Sequence, residues 1–443
     1  MFTEEIEIIK IEDFYSEILD NNRDIRIYLP PSYYDNHNKF YPVLYVHDGQ
    51  NVFEAGESYS GESWNLHHTA EYLIRENMIE EIIIVAVDNM GQQRLSEYAH
   101  QDGHFKGEEV KAKGLAYENF LIEELMPVIE SEFRVKSGAK NTALMGSSMG
   151  GLVTFNIGMR RTDLFANLAV MSPSLWWGKS SVLEKINDYD YSNLNHKIWL
   201  DTGDAEGKLM SFSENEFAEL KKLKKNNNLN LIYYLVPEGV HSESAWAARV
   251  HCPLLYFFGN IGEIKDLELI GRELIGITGP EVQLNPVMSF DSGFKMTVLE
   301  GQYSSLDDRI LEVNEYGTLF PQKAGTTEIE FKAYGYKSSK KIKVIKDLSS
   351  KVKIEINLSL KIDNYNPEVY IADRDPKEIK MEKLDNGYYR AKLNLKRDDF
   401  LRFKFTLGSW DSVEKDSEGR DTESHFVKAD QSKSLYFEVD RFG

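Results

Sequence analysis

Ten residues, Thr142-Ala-Leu-Met-Gly-Ser-Ser-Met-Gly-Gly151, constrain this chain more than any other stretch. The apolar run Ala143 to Met145 enters Gly146-Ser147-Ser148-Met149-Gly150, and a helical pattern follows from Leu152 to Met159. Strand, sharp turn and helix in that order fit the G-x-S-x-G elbow, whose glycines flank Ser148 because the turn is tight and its neighbours pack closely. Such a turn holds the Ser148 hydroxyl clear of a sheet's carboxyl edge, at the positive end of the following helix. The backbone N–H of Met149 then faces the place where an oxyanion would develop.

A parallel sheet requires the same rhythm elsewhere, and the chain supplies it. Glu5 to Ile9 and Asp24 to Leu29 alternate apolar with polar residues, and Pro30-Pro31 stops the second run. Tyr41 to Val46 and Ile82 to Val87 read as buried strands. A helix around Tyr117 to Phe133 precedes the elbow. Strands at Leu168 to Met171, Ile198 to Leu200 and Leu231 to Val236 follow it, with a lysine-rich helix over 217–225 and a last helix from Ser244 to Phe258. This is an α/β sheet covered on both faces. Past about residue 262 helical periods vanish, and short alternating strands continue to the end.

A length of 443 residues implies two or three domains. The net charge of −20 argues against nucleic acid or an anionic membrane as partner. Cys252 is the only cysteine, so no intrachain disulfide and no cysteine-based metal site exists, and its apolar setting suits a buried thiol. The first residues lack the pattern of a signal peptide. No run approaches ~18 apolar residues, so a cytoplasmic protein is expected.

A serine hydroxyl needs a base to take its proton and an acid to orient that base. In an α/β-hydrolase the chain order is serine, acid, histidine. After Ser148 come only His196, His241, His251 and His425. His241 lies in the loop Pro237 to Ser244, after a strand and before a helix, where the base should sit. His196 precedes its strand, and His251 falls inside the last helix. For the acid, Asp204 and Glu206 both follow the Gly203 turn, while Asp201 is still close to the strand and reads as structural. Spacing leaves Asp204 and Glu206 both open. Neither His67-His68 nor His100-x-x-x-His104 comes with a carboxylate at convincing ligand spacing, so no metal is expected.

The first 262 residues resemble the putative-esterase family of α/β-hydrolases, which includes esterase D and the siderophore trilactone esterases. The matching pieces are Tyr45-Val-His-Asp-Gly-Gln-Asn51, Val87-Asp-Asn89 with Arg94 and Glu97-Tyr98, and Gly146 to Gly151. They continue with Ser172-Pro-Ser174 and Trp176, Asp201-Thr-Gly-Asp-Ala-Glu206, and Gly239-Val-His-Ser-Glu243 with Trp246. The resemblance implies that Glu206 is the acid, with Asp204 second. It puts a second oxyanion donor at the backbone N–H of Gln50, and it requires no cofactor. Arg94 and Glu97 are expected to pair with each other, and Trp64, Trp176 and Arg94 are candidates for the substrate pocket.

Two β units are expected after the α/β-hydrolase domain of residues 1–262. Gly317 to Phe331 resembles the end of a bacterial immunoglobulin-like domain, giving a sandwich over 263–347. Val369 to Ala372 and Phe403 to Glu414 resemble starch-binding β-sandwich modules, giving a second over 348–443. In that module Trp410 and Tyr388 are candidate glycan contacts, although Asp373 to Ile379 stands where such modules carry a glycan-binding tryptophan segment. The expected function is hydrolysis of a small-molecule ester through an acyl-enzyme, with an acylated carbohydrate first and a siderophore lactone second. The rival of another class is a non-catalytic glycan-binding protein with a decayed hydrolase domain.

Overall fold

The computed structural model describes residues 6–58, 61–105, 107–180, 196–206, 230–361, 367–373, 376–385, 387–419, 422 and 424–443. The helix expected over 217–225 lies outside the described residues.

Among the described residues eight strands build the first sheet: β1 Ile8–Ser16, β2 Asn21–Tyr28, β3 Val43–His47, β4 Ile83–Val87, β5 Thr142–Ser147, β6 Asn167–Met171, β7 Lys197–Gly203 and β8 Asn230–Val236. Their order is β1-β2-β4-β3-β5-β6-β7-β8. β1 and β2 pair antiparallel, β2 meets β4 antiparallel, and every later pair is parallel. Every residue of β3, β4, β5 and β6 is buried, as continuous apolar runs require when helices cover both faces. The carboxyl ends of β3, β5, β7 and β8 therefore open on one rim, where the loops bearing Gln50, Ser148, Glu206 and His241 emerge.

Two elements depart from expectation. β7 runs on to Gly203 because Asp201, Thr202 and Gly203 stay in register with Tyr234, Leu235 and Val236 of β8. The last helix is two helices, Glu243–Ala247 and His251–Phe258. Pro253 has no N–H for the carbonyl of Arg249, so it fits only in the first turn of a new helix.

The strands after Gly262 form small sheets. Ile264–Ile270, Asn285–Phe290 and Lys295–Thr297 make one, and Leu274–Thr278, Tyr336–Asp347, Gly325–Ala333 and Gln302–Ser305 another. This middle unit is welded to the α/β sheet. The Phe294 ring lies 5.5 Å from Trp199. The backbone of Leu235 donates to Thr297 Oγ1 at 2.9 Å and accepts from Asn285 Nδ2 at 2.8 Å. Those contacts satisfy polar groups that the edge strand β8 would otherwise leave open.

The last unit has its own core, with Ile354, Ile356, Phe403 and Phe405 among its buried residues. It touches the other two through the ion pairs Lys428–Glu238, at 3.3 Å, and Arg272–Asp398. Among the described residues no helix is long and apolar enough to cross a membrane.

Candidate active site

Ser148 joins β5 to the helix Met149–Arg160 with φ 58° and ψ −120°, a conformation that L-residues avoid and that costs ~1–3 kcal/mol. Three backbone bonds hold it there. Its N–H donates to Met171 O at 3.0 Å, and its carbonyl accepts from Ser174 and Leu152 at 2.9 and 3.0 Å. The turn tolerates no side chain at Gly146, where a Cβ would fall 2.5 Å from the carbonyl carbon of Gly150.

His241 leaves β8 on the loop after Pro237, and its Nδ1 lies 2.9 Å from Glu206 Oε2. A backbone contact locks the two loops together: Ala205 N–H donates to Gly239 O at 3.0 Å, and a Cβ on Gly203 would come within 2.0 Å of that oxygen. The Glu206 carboxylate also accepts from Gly203 N–H at 2.7 Å and from Ser172 Oγ at 2.6 Å. Burial pushes this carboxyl up, but the His241 bond, the Arg249 charge and the Ser172 hydroxyl outweigh it and hold it below the usual carboxylate range. Asp204 turns away, accepting from the backbone of Glu238 at 2.6 Å. Asp201 is fully buried and takes two bonds from Arg249 and one from the Trp199 indole.

Ser148 and His241 do not hydrogen-bond each other in this structure. Ser148 Oγ lies 3.3 Å from Ser174 Oγ instead.

On the far side of the elbow, Asp48 turns the chain out of β3 with φ 60° into the short 3₁₀ turn Gly49–Asn51. The Gln50 side chain accepts from Asn89 N–H at 3.0 Å, tying this loop to the one after β4. The buried Asp48 carboxylate accepts from Asn89 at 2.7 Å and from Arg94 Nε and Nη2 at 2.6 and 2.8 Å. Burial raises its pKa, and the Arg94 charge more than reverses that. Arg94 and Glu97 therefore do not pair with each other. Glu97 instead takes two bonds from the buried Arg23, at 3.0 and 3.1 Å.

With this geometry in view, residues 16–252, just over half of the chain, match the sequence model of the family described as "Putative esterase". The chain belongs to this esterase family. It is a carboxylic-ester hydrolase. Two relatives and one solved structure illustrate the likeness. The Bacillus subtilis protein YbbA, described as uncharacterized, is 23% identical over 220 residues, 48% of this chain and 79% of its own. An endo-1,4-beta-xylanase/feruloyl esterase of Xylanibacter ruminicola is 28% identical over 179 residues, covering 40% of this chain and 22% of that longer protein. The crystal structure of the BES protein from Bacillus cereus shares 24% identity and covers 58% of this chain and 96% of its own, with a TM-score of 0.47.

The esterase's tryptophans divide by burial. Trp64 is 2% exposed and packs in the core against Trp246, with ring centroids 6.0 Å apart, so it offers no face to a substrate. Trp176 is half-buried against Trp177. Trp410 is 46% exposed and lines a hollow together with Glu62, Ser242 and Glu243 of the esterase region, whereas Tyr388, also exposed, does not line that hollow.

The sequence assigns no role to two residues that bond to Glu206 or to its partners. Ser172 donates to Glu206 while accepting from Trp246 Nε1 and Arg249 Nη2, at 2.9 and 2.7 Å. Arg249 sits in the break between the two last helices and couples Asp201 to Ser172. Only the family piece Ser172-Pro-Ser174 hinted at the first; nothing in the sequence hinted at the second.

The histidine pair His67-His68 does have a carboxylate beside it, contrary to expectation. Glu54 Oε1 lies 3.3 Å from His67 Nε2, and ligand atoms of Glu54, His67 and His68 all fall within 4.8 Å of one another. Glu54 comes from an adjoining loop, where no helical spacing could reveal it. His100 bonds to Glu118 at 3.1 Å. Cys252 is buried, and that burial pushes its thiol up to about 12.

Proposed function

We propose that this chain is a serine esterase in which Ser148 attacks an ester carbonyl while His241, oriented by Glu206, takes the hydroxyl proton. The tetrahedral oxyanion is held by the backbone N–H groups of Met149 and Gln50. The oxygen–carbon bond to the alcohol breaks as His241 returns the proton to the leaving oxygen, and the acyl group stays on Ser148. His241 then takes a proton from water, whose oxygen attacks the acyl carbon and frees the acid and Ser148.

The observation that carries this reading is the 2.9 Å contact between His241 Nδ1 and Glu206 Oε2, made by two loops on the rim that also bears Ser148. The base is tethered on Nδ1, leaving Nε2 for the serine. Ser148 Oγ faces Ser174 here, and catalytic hydrogen bonds often tighten only when substrate is bound.

The substrate class proposed is an acylated carbohydrate. It is supported by the stretch shared with the xylanase/feruloyl esterase and by the exposed Trp410 beside the esterase rim. In this reading residues 1–262 carry the chemistry, 263–347 brace the sheet edge and 348–443 serve the substrate.

Ser148→Ala and His241→Ala should each lower turnover of p-nitrophenyl acetate by orders of magnitude while the melting temperature stays near that of the wild type. Unchanged turnover in either variant refutes the assignment. Acetylated and feruloylated sugars assayed beside siderophore lactones decide the substrate, and exclusive turnover of the lactones would overturn the carbohydrate reading.

A further inference from the structure

A cleft of ≈ 790 Å³ opens beside the proposed catalytic base. Glu206 and His241 form one side, and Asp373, Phe400, Arg402 and Phe426 of the last β unit stand opposite. A second hollow of ≈ 420 Å³ lies between Ser242 and Glu243 on the esterase side and Trp410 on the other. Asp373, Arg402 and Phe426 line both, so the two hollows flank one ridge of the last unit that faces the His241–Glu243 loop. The pair between Lys428, the last residue of the strand His425–Lys428, and Glu238 holds this face against the same loop.

The direction of the chemistry says which half of an ester comes here. The base that deprotonates the serine hands its proton to the leaving oxygen, so the alcohol half departs on the histidine side of the nucleophile. We propose that the last β unit supplies the alcohol-side subsite of the esterase and that its occupant is the sugar bearing the acyl group. This rests on the esterase reading of Ser148 and His241.

The lining chooses among alcohols. Phe426 and Trp410 are 36% and 46% exposed and offer flat faces to the apolar side of a sugar ring. Arg402 and Asp373, 4.0 Å apart, line both hollows and can donate to and accept from hydroxyl groups. A long aliphatic alcohol would have to strip water from both charges without replacing its hydrogen bonds. An anionic alcohol would meet the acidic excess of the first cleft, where Asp204, Glu281, Asp398 and Asp399 also line the wall. A neutral polyol satisfies the aromatic and the polar parts together.

The test uses the full chain with Phe426→Ala, Arg402→Ala and, as a control outside the cleft, Tyr436→Ala, whose ring is 73% exposed. The readout is the ratio of kcat/KM on acetylated xylo-oligosaccharide to that on p-nitrophenyl acetate, which has no sugar. The first two variants should lower this ratio by roughly tenfold, chiefly through KM, and Tyr436→Ala should leave it unchanged. Equal losses on both substrates, an unchanged ratio, or a wild type that cleaves p-nitrophenyl acetate but not the sugar ester overturns the proposal. A wild type inactive on p-nitrophenyl acetate and on every other ester would instead sink the esterase reading beneath it.

Discussion

Asp48 ties the proposed oxyanion loop to the loop after β4 and lies beside the elbow, and replacing it with asparagine loosens that tie without changing the side chain's size. Its carboxylate accepts one bond from Asn89 and two from Arg94, and a Cβ on Gly150 would lie 3.0 Å from its Oδ2. An amide in its place must turn an N–H₂ toward one of those donors and leaves the guanidinium without its counter-charge. Removing one partner of a buried pair costs ~3–5 kcal/mol. The Arg94 side chain keeps 24% of its exposure, so water relieves part of the stranded charge and the lower end, about 3 kcal/mol, applies. For a unit of this size that lowers the melting temperature by roughly 6–12 °C. Thermal unfolding followed by circular dichroism reads this loss. A parallel assay on p-nitrophenyl acetate should show kcat reduced, since the Gln50 loop loses its anchor. Glu97→Gln is the comparator. Its partner Arg23 is wholly buried, so it should destabilise at least as much while lowering kcat less. An Asp48→Asn protein that melts and turns over like the wild type would refute the reasoning.

Gly203→Ala should drive the His241 loop away from Glu206, because the new Cβ would meet the backbone oxygen of Gly239. A misplacement of about 1 Å costs on the order of 100-fold in rate, measurable as kcat on p-nitrophenyl acetate with near-ultraviolet circular dichroism reporting the fold. A rate equal to the wild type's would count against the close approach. Burial pushes His47 and His67 down to about 4, whereas each takes a proton near 6.5 when unfolded. Between those values the unfolded chain binds more protons, so stability should fall as pH drops, by up to ~1.4 kcal/mol per pH unit for each ring. Melting temperatures that stay level from about pH 7 to about pH 5 would contradict this.

The strands and the elbow were legible because their signals are local: continuous apolar runs, and glycines flanking a serine. The loops carrying Glu206 and His241 could be placed by the strands that deliver them. What stayed hidden depends on contacts between distant segments. Arg94 has an acidic neighbour three residues away in Glu97, yet pairs with Asp48 because the β3 and β4 loops meet on the rim. The carboxylate beside His67 belongs to Glu54, in the chain leading toward the helix Leu66–Arg75 that carries His67. Arg249 looked like one more polar residue in a helix, and only the break before Pro253 brings it to Asp201 and Ser172. The middle unit's grip on β8 through Phe294, Thr297 and Asn285 has no sequence signature either, since each is an ordinary strand residue.

Covalent labelling tests the central claim most directly. The full chain is incubated with a fluorophosphonate probe, digested and mapped by mass spectrometry. A single adduct on Ser148, absent from Ser148→Ala and slow to form in His241→Ala, is the expected result. No adduct, or one on Ser174 or another serine with Ser148 untouched, would contradict it.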